Sequence, residues 1–126
     1  MNLNKKDVFA VVGASEDNTK YGHKIFEALL KNGYNAYPIN PNAKSVLNKK
    51  TYKSISLMPE KPDIVITVVK PEVTEKIADE AVKIGVKKIW MQPGSESKEA
   101  IKTCKENGIS CTYNSCIIID GLKIKF

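Results

Sequence analysis

The residues best placed for chemistry in this 126-residue chain flank its first helical stretch. Val8-Phe9-Ala10-Val11-Val12 runs straight into Gly13-Ala14-Ser15. Glycine between a strand and a helix lets backbone approach a ligand, and the free N–H groups of the helix start attract an anion. Ser15 adds a hydroxyl donor, and Lys20 is within reach of a phosphate. The spacing is not G-x-G-x-x-G: Gly13 and Gly22 stand nine apart. Glu16 and Asp17 must point outward if a phosphate binds. The plainer reading is a tight turn without a ligand.

The second turn, Asn40-Pro41-Asn42, ends the next apolar strand, Asn35-Ala36-Tyr37-Pro38-Ile39. Dinucleotide sites place Asp or Glu near there for the ribose hydroxyls. Asn40 adds no charge, so it does not repel an extra ribose phosphate. An ordinary Asn-Pro turn explains it equally well. Further on, Val68-Val69-Lys70-Pro71 could pack on an adenine or an apolar arm, or be plain core. Gln92-Pro93-Gly94-Ser95 could supply backbone N–H groups, or be a turn with a helix cap. Cys116 is the thiol nearest this presumed edge, and His23 is the sole imidazole that could serve it as a base. A free structural cysteine is the simpler reading. No triad, paired carboxylates or Walker loop appears.

These turns need a frame that brings them together, and the periodicity supplies one. Strands are expected at 7–12, 35–39, 63–69, 86–91 and 109–113. Helices are expected at 21–32, from Pro71 to Ile84, and at 96–107, with Gly33, Gly85 and Gly108 as stops. Val73, Ile77, Ala81 and Ile84 mark the inward face of the second helix. Residues 42–58 read as irregular, with short helical turns near Ser45–Leu47 and Ser54–Leu57. Residues 116–119 and 122–125 suggest a terminal hairpin around Asp120-Gly121. Strands alternating with helices imply a parallel sheet. The expected fold is α/β: a doubly wound, three-layer αβα sheet forming one domain over 1–126. Ligands in such sheets bind at the carboxyl ends of the strands.

Composition narrows the function classes. Two domains would each be too small to bury a core. No apolar run approaches the ~20 residues that span a bilayer, and the start lacks a signal-peptide pattern. These features point to the cytoplasm and away from a membrane. Net charge is +6, and all twenty basic residues are lysine. Arginine is the preferred bidentate reader of phosphates and bases. Its absence, with no basic stripe or stacking aromatics, argues against nucleic acid. The lysines form a solvated surface or a field for a small polyanion. Cys104, Cys111 and Cys116 lack metal-type spacing and are expected to be thiols, with no metal site. No motif indicates a protein partner.

A family resemblance rests on V-V-G-A-S at 11–15, Y-G at 21–22 and G-Y-N-A-Y-P-I-N-P-N at 33–42. It continues through P-D-I-V-I-T-V-V at 62–69, K-K-I-W-M-Q-P-G at 87–94 and N-S-C-I-I-I at 114–119. In this order the set resembles the small single-domain CoA-binding proteins, relatives of the N-terminal domain of the succinyl-CoA synthetase alpha subunit. The resemblance implies a Rossmann-like fold that binds coenzyme A or an acyl-CoA, without a reaction. It puts Gly13, Ala14 and Ser15 on the phosphates, with Lys20 and Tyr21 beside them at the helix start. Asn40, Pro41 and Lys44 would border the adenosine. Val68, Val69 and Pro71 would line the cleft, and Gln92, Pro93, Gly94 and Cys116 would close it. The family often carries a basic residue before the terminal cysteine; Ser115 stands there. The synthetase's phosphohistidine loop lies in a separate domain, so ligase activity does not transfer. The alternatives are a nicotinamide nucleotide-binding redox sensor domain and a thiol-reactive protein using Cys116 with CoA.

Overall fold

The computed structural model describes residues 1–126. It opens with β1 (Val8–Val12), α1 (Tyr21–Lys31) and β2 (Asn35–Ile39). Two short strands, β3 (Ser45–Val46) and β4 (Lys49–Lys50), precede a 3-10 turn at Ile55–Leu57. Then come β5 (Ile64–Thr67), α2 (Pro71–Ile84), β6 (Lys88–Met91), α3 (Lys98–Glu106) and β7 (Ser110–Thr112). A π-helical turn at Ile117–Gly121 is the last element.

The main sheet has the order β2-β1-β5-β6-β7, and every pairing in it is parallel. From β1 the chain moves outward to β2, then returns past β1 to β5 and continues the other way. The reversal falls between β1 and β5, where doubly wound sheets open a ligand crevice. Val12 lies level with both Ile39 and Thr67, and Thr67 with Met91. The turns that follow these strands therefore gather at one edge.

Two apolar layers hold the sheet. On one face Ile25, Phe26, Ala28 and Leu29 of α1 pack with Phe9, Val11, Ile64, Ile66 and Trp90. On the other, Ala78, Ala81, Ala100 and Cys104 of α2 and α3 meet Ala10, Val12, Val65, Ile89 and Met91. Burying each large aliphatic or aromatic side chain contributes roughly 1.5–3 kcal/mol. Every residue of β1 and β5 is buried, as continuous apolar runs between two helical layers require. The architecture is the doubly wound, Rossmann-like αβα sandwich that the sequence predicts. The five strands expected for the main sheet and the three expected helices form, trimmed by one to two residues at several ends.

Three local expectations fail. On α2 the fully buried positions are Thr74, Ala78 and Ala81, while Val73 is exposed. Small residues take the line of closest approach to the sheet, and Ile77 and Ile84 flank it, half-buried. Ser45–Leu47 is not a helical turn but part of an antiparallel hairpin, Ser45 opposite Lys50 and Val46 opposite Lys49. Val46 is buried in the α1-side layer, and Leu47 and Asn48 turn the chain with φ of 50° and 63°. The terminal hairpin is absent. Ile117 and Ile118 are both fully buried, and neighbours on one strand would point to opposite faces. A helical turn buries both. Leu122 N–H donates to the Ile117 carbonyl at 2.7 Å, and Gly121 N–H to that of Cys116 at 3.3 Å. Gly121 packs against Trp90, where a Cβ would come within 2.8 Å of the ring.

Candidate functional site

The first turn is built by close packing at the switch point. Gly13 has φ of 98°, and a Cβ there would lie 2.9 Å from Val69 Cγ1 and overlap the Val68 carbonyl oxygen. A Cβ on Gly22 would overlap the Gly13 carbonyl oxygen. The pair lets the start of α1 settle onto the end of β1, with Gly13 N–H donating to the Ile39 carbonyl at 3.0 Å. No side chain caps the helix at Lys20. Lys20 N–H donates to the Asp17 carbonyl and His23 N–H to the Lys20 carbonyl, which leaves the Tyr21 and Gly22 N–H groups available to an anion.

The loop between glycine and helix is held by its own polar groups. Asp17 N–H donates to Ser15 Oγ at 3.0 Å. The Asp17 carboxylate accepts from Thr19 Oγ1 at 2.7 Å and Thr19 N–H at 2.9 Å. These two bonds, side chain first, hold the Asp17 carboxyl below its ordinary value. Glu16 and Asp17 are both exposed. His23 is buried, with Nδ1 2.7 Å from the Ser15 carbonyl oxygen. A carbonyl only accepts, so Nδ1 carries the proton, and His23 braces the turn.

Asn40 ties the second turn to the first. Its Nδ2 donates to the Ala14 carbonyl at 2.8 Å, and its Oδ1 accepts from Asn42 N–H at 2.8 Å. Pro41 and Lys44 are exposed beside it. On the other side of the crevice, Val68, Val69, Lys70 and Pro71 face Pro93, Gly94 and Ser95 across an open depression of about 390 Å³. Ser95 Oγ accepts from Val69 N–H at 3.1 Å. Gly94 N–H donates to the Glu96 carboxylate at 2.9 Å, so this turn is already satisfied by its own acid.

A second, more enclosed pocket of about 190 Å³ brings together Tyr21, Val68, Gln92, Pro93 and Cys116 with Ile119 and Phe126. Gln92 is 4% exposed. Its Oε1 accepts from Ile117 N–H at 2.7 Å, and its Nε2 donates to Cys116 Sγ at 3.4 Å. Cys116 N–H donates to the Asp120 carboxylate at 2.9 Å. The other two thiols lie away from this edge. The Cys104 thiol is pushed up by its contact with Cys111 and by burial between α3 and the sheet.

Of the fifteen residues singled out from the sequence, Tyr21, Val68, Gln92, Pro93 and Cys116 line the enclosed pocket, and Val68, Val69, Pro71, Pro93 and Gly94 line the depression. Gly13 packs on Val68 and Val69, and Asn40 bonds the Ala14 carbonyl, so the first two turns adjoin these hollows. Ser15 is half-buried, and Lys20, Pro41 and Lys44 are exposed and line neither hollow. Sequence reasoning missed Ile119 and Phe126 at the second pocket. Their positions depend on the π-helical turn, and only the run of three isoleucines at 117–119 hinted at it.

No helix is long and apolar enough to cross a membrane. Comparison with known proteins gives a consistent set of relatives. The chain is similar to an ADP-forming acetate–CoA ligase of Archaeoglobus fulgidus, 34% identical over 95 residues. That match covers 74% of this chain and 14% of the ligase. It is also similar to the alpha subunit of ADP-forming acetate–CoA ligase II of Pyrococcus furiosus, 28% identical over 119 residues. There it covers 86% of this chain and 26% of the subunit, so the chain spans only a fraction of these relatives. Among solved structures, a conserved hypothetical protein of Pyrococcus furiosus superposes with a TM-score of 0.86 at 37% identity. It covers 90% of this chain and 98% of that one. The pattern described as CoA binding domain matches residues 7–121, across the whole sheet and every turn of the crevice, and the chain belongs to that family.

Proposed function

We propose that this chain binds coenzyme A or an acyl-CoA, with the pyrophosphate at Gly13-Ala14-Ser15 and the open end of α1. The observation that carries this reading is the Gly13–Gly22 contact. It seats the start of an eleven-residue helix, whose Tyr21 and Gly22 N–H groups have no partner, at the switch point of the sheet. Lys20 and Tyr21 flank the anion there. The adenosine lies toward Asn40, Pro41 and Lys44, where no carboxylate opposes a phosphate on the ribose. The arm runs past Val68, Val69 and Pro71 toward Gln92, Pro93, Gly94 and Cys116. Family membership supports the choice of ligand. The ligase activity in the relatives' names belongs to much longer proteins, and we assign this chain binding without chemistry of its own. Its proposed partner is the small nucleotide-type ligand, met in the cytoplasm.

Calorimetric titration with coenzyme A, beside NADH and ATP, tests this. Coenzyme A is expected to bind most tightly, and Ser15→Glu to weaken it at least about tenfold by placing a charge at the pyrophosphate. Tighter binding of NADH would replace the reading with a nicotinamide nucleotide sensor. No binding of coenzyme A would remove it.

A further inference from the structure

We propose that the pocket between α1 and the π-helical turn seats the acyl group of a thioester, so that the chain prefers an acyl-CoA with a branched aliphatic or aryl acyl group over free coenzyme A. This rests on the coenzyme A reading above and names what occupies the far end of the same site.

Size is the first ground. At about 190 Å³ the pocket is too small for a whole nucleotide. It is comparable with the roughly 150 Å³ apolar cavity known to hold benzene.

Apolarity is the second. Five of its seven lining residues are hydrophobic. Tyr21, Ile119 and Phe126 line it while remaining 63%, 59% and 46% exposed. Three large apolar side chains left in water around one opening lose that exposure when an apolar group enters. Tyr21 and Phe126 meet edge to face at 6.2 Å between ring centroids, which defines one wall.

The third ground is polar. Gln92 lines the pocket, and its amide is oriented by Ile117 N–H on one end and Cys116 Sγ on the other. A primary amide has two N–H donors, and here one is used. The second suits a thioester carbonyl, which free coenzyme A lacks.

Continuity is the fourth. Val68 and Pro93 line both this pocket and the open depression along Lys70 and Pro71. An arm lying along the strand ends thus passes from one into the other.

The test is titration of the full chain with free coenzyme A, acetyl-CoA, isobutyryl-CoA and benzoyl-CoA. Isobutyryl-CoA or benzoyl-CoA is expected to bind about tenfold tighter than coenzyme A, with acetyl-CoA between. In Ile119→Ser the ratio of acyl-CoA to coenzyme A affinity is expected to fall towards one. Ile119 is largely exposed, so a thermal melt should show the variant folded. A ratio near one in the wild type, or a ratio that survives Ile119→Ser, overturns the acyl assignment and leaves coenzyme A binding standing. Binding of none of the four overturns both. A pocket that instead receives a protein segment would give that flat ratio.

Discussion

The turns after β1 and β6 lie on opposite sides of the same crevice, and both look, by sequence, able to offer backbone N–H groups to an anion. The structure treats them differently. After β1, glycine backbone packs on glycine backbone and α1 starts with no capping side chain. After β6, Glu96 accepts the Gly94 N–H, and Ser97 caps α3 by accepting from Ala100 N–H at 3.3 Å. Ser97 Oγ in turn donates to the Glu75 carboxylate at 2.6 Å. The β1 turn leaves the Tyr21 and Gly22 N–H groups at the start of α1 without a partner, whereas the β6 turn spends its Gly94 and Ala100 N–H groups on Glu96 and Ser97. A helix N-terminus is a common feature. What distinguishes a binding turn is whether the protein has already filled it.

The sharpest way to break this contrast is Gly22→Ala. Its Cβ would overlap the Gly13 carbonyl oxygen, which is backbone and cannot swing aside. A loss of roughly 3 kcal/mol, the upper end for overpacking, is expected in denaturant unfolding, with coenzyme A binding lost as well. Gly94→Ala should cost less. It has φ of 93° but nothing within 4 Å of the added carbon, so only backbone strain of about 1–2 kcal/mol applies. A loss at Gly94 equal to that at Gly22 would show that the two glycines serve the same role.

The smallest effect concerns the loop charge. Asp17 titrates below 3.8 because Thr19 donates to its charged form. A depressed folded value means that this contribution to stability is present above 3.8 and is lost as the pH falls through the folded value. Asp17→Asn should therefore flatten the acid limb of the stability profile slightly, below pH 3.8 only. An acid limb as steep in Asp17→Asn as in the wild type would contradict the assignment.

The framework was legible in the sequence because its physics is local and periodic. Ile64-Val65-Ile66 is apolar without alternation, and only a strand covered on both faces suits such a run. Ile25, Phe26 and Leu29 recur at helical spacing, and Gly85 ends α2 in the left-handed conformation its position predicts. The turn at Gly13 followed from a glycine between strand and helix. The face of α2 was misread because spacing fixes that a stripe exists, whereas the approach distance to the sheet selects which residues touch it. Thr74 and Ala78 won that contact by being small.

By itself the sequence determined the order of elements, the parallel sheet and the set of turns at its carboxyl edge. Only the tertiary structure decided how the turns are joined, because Asn40 reaches Ala14 and Glu75 reaches Ser97 across folds of the chain, while Glu96 and Ser97 bond to Gly94 and Ala100 two and three residues away. It alone decided the fate of residues 116–126. As a strand, Ile117 and Ile118 would bury one side chain and expose the other. The layer beside α1 and Trp90 could accept both, so the chain coils there, and Ile119 and Phe126 come to line a pocket with Tyr21.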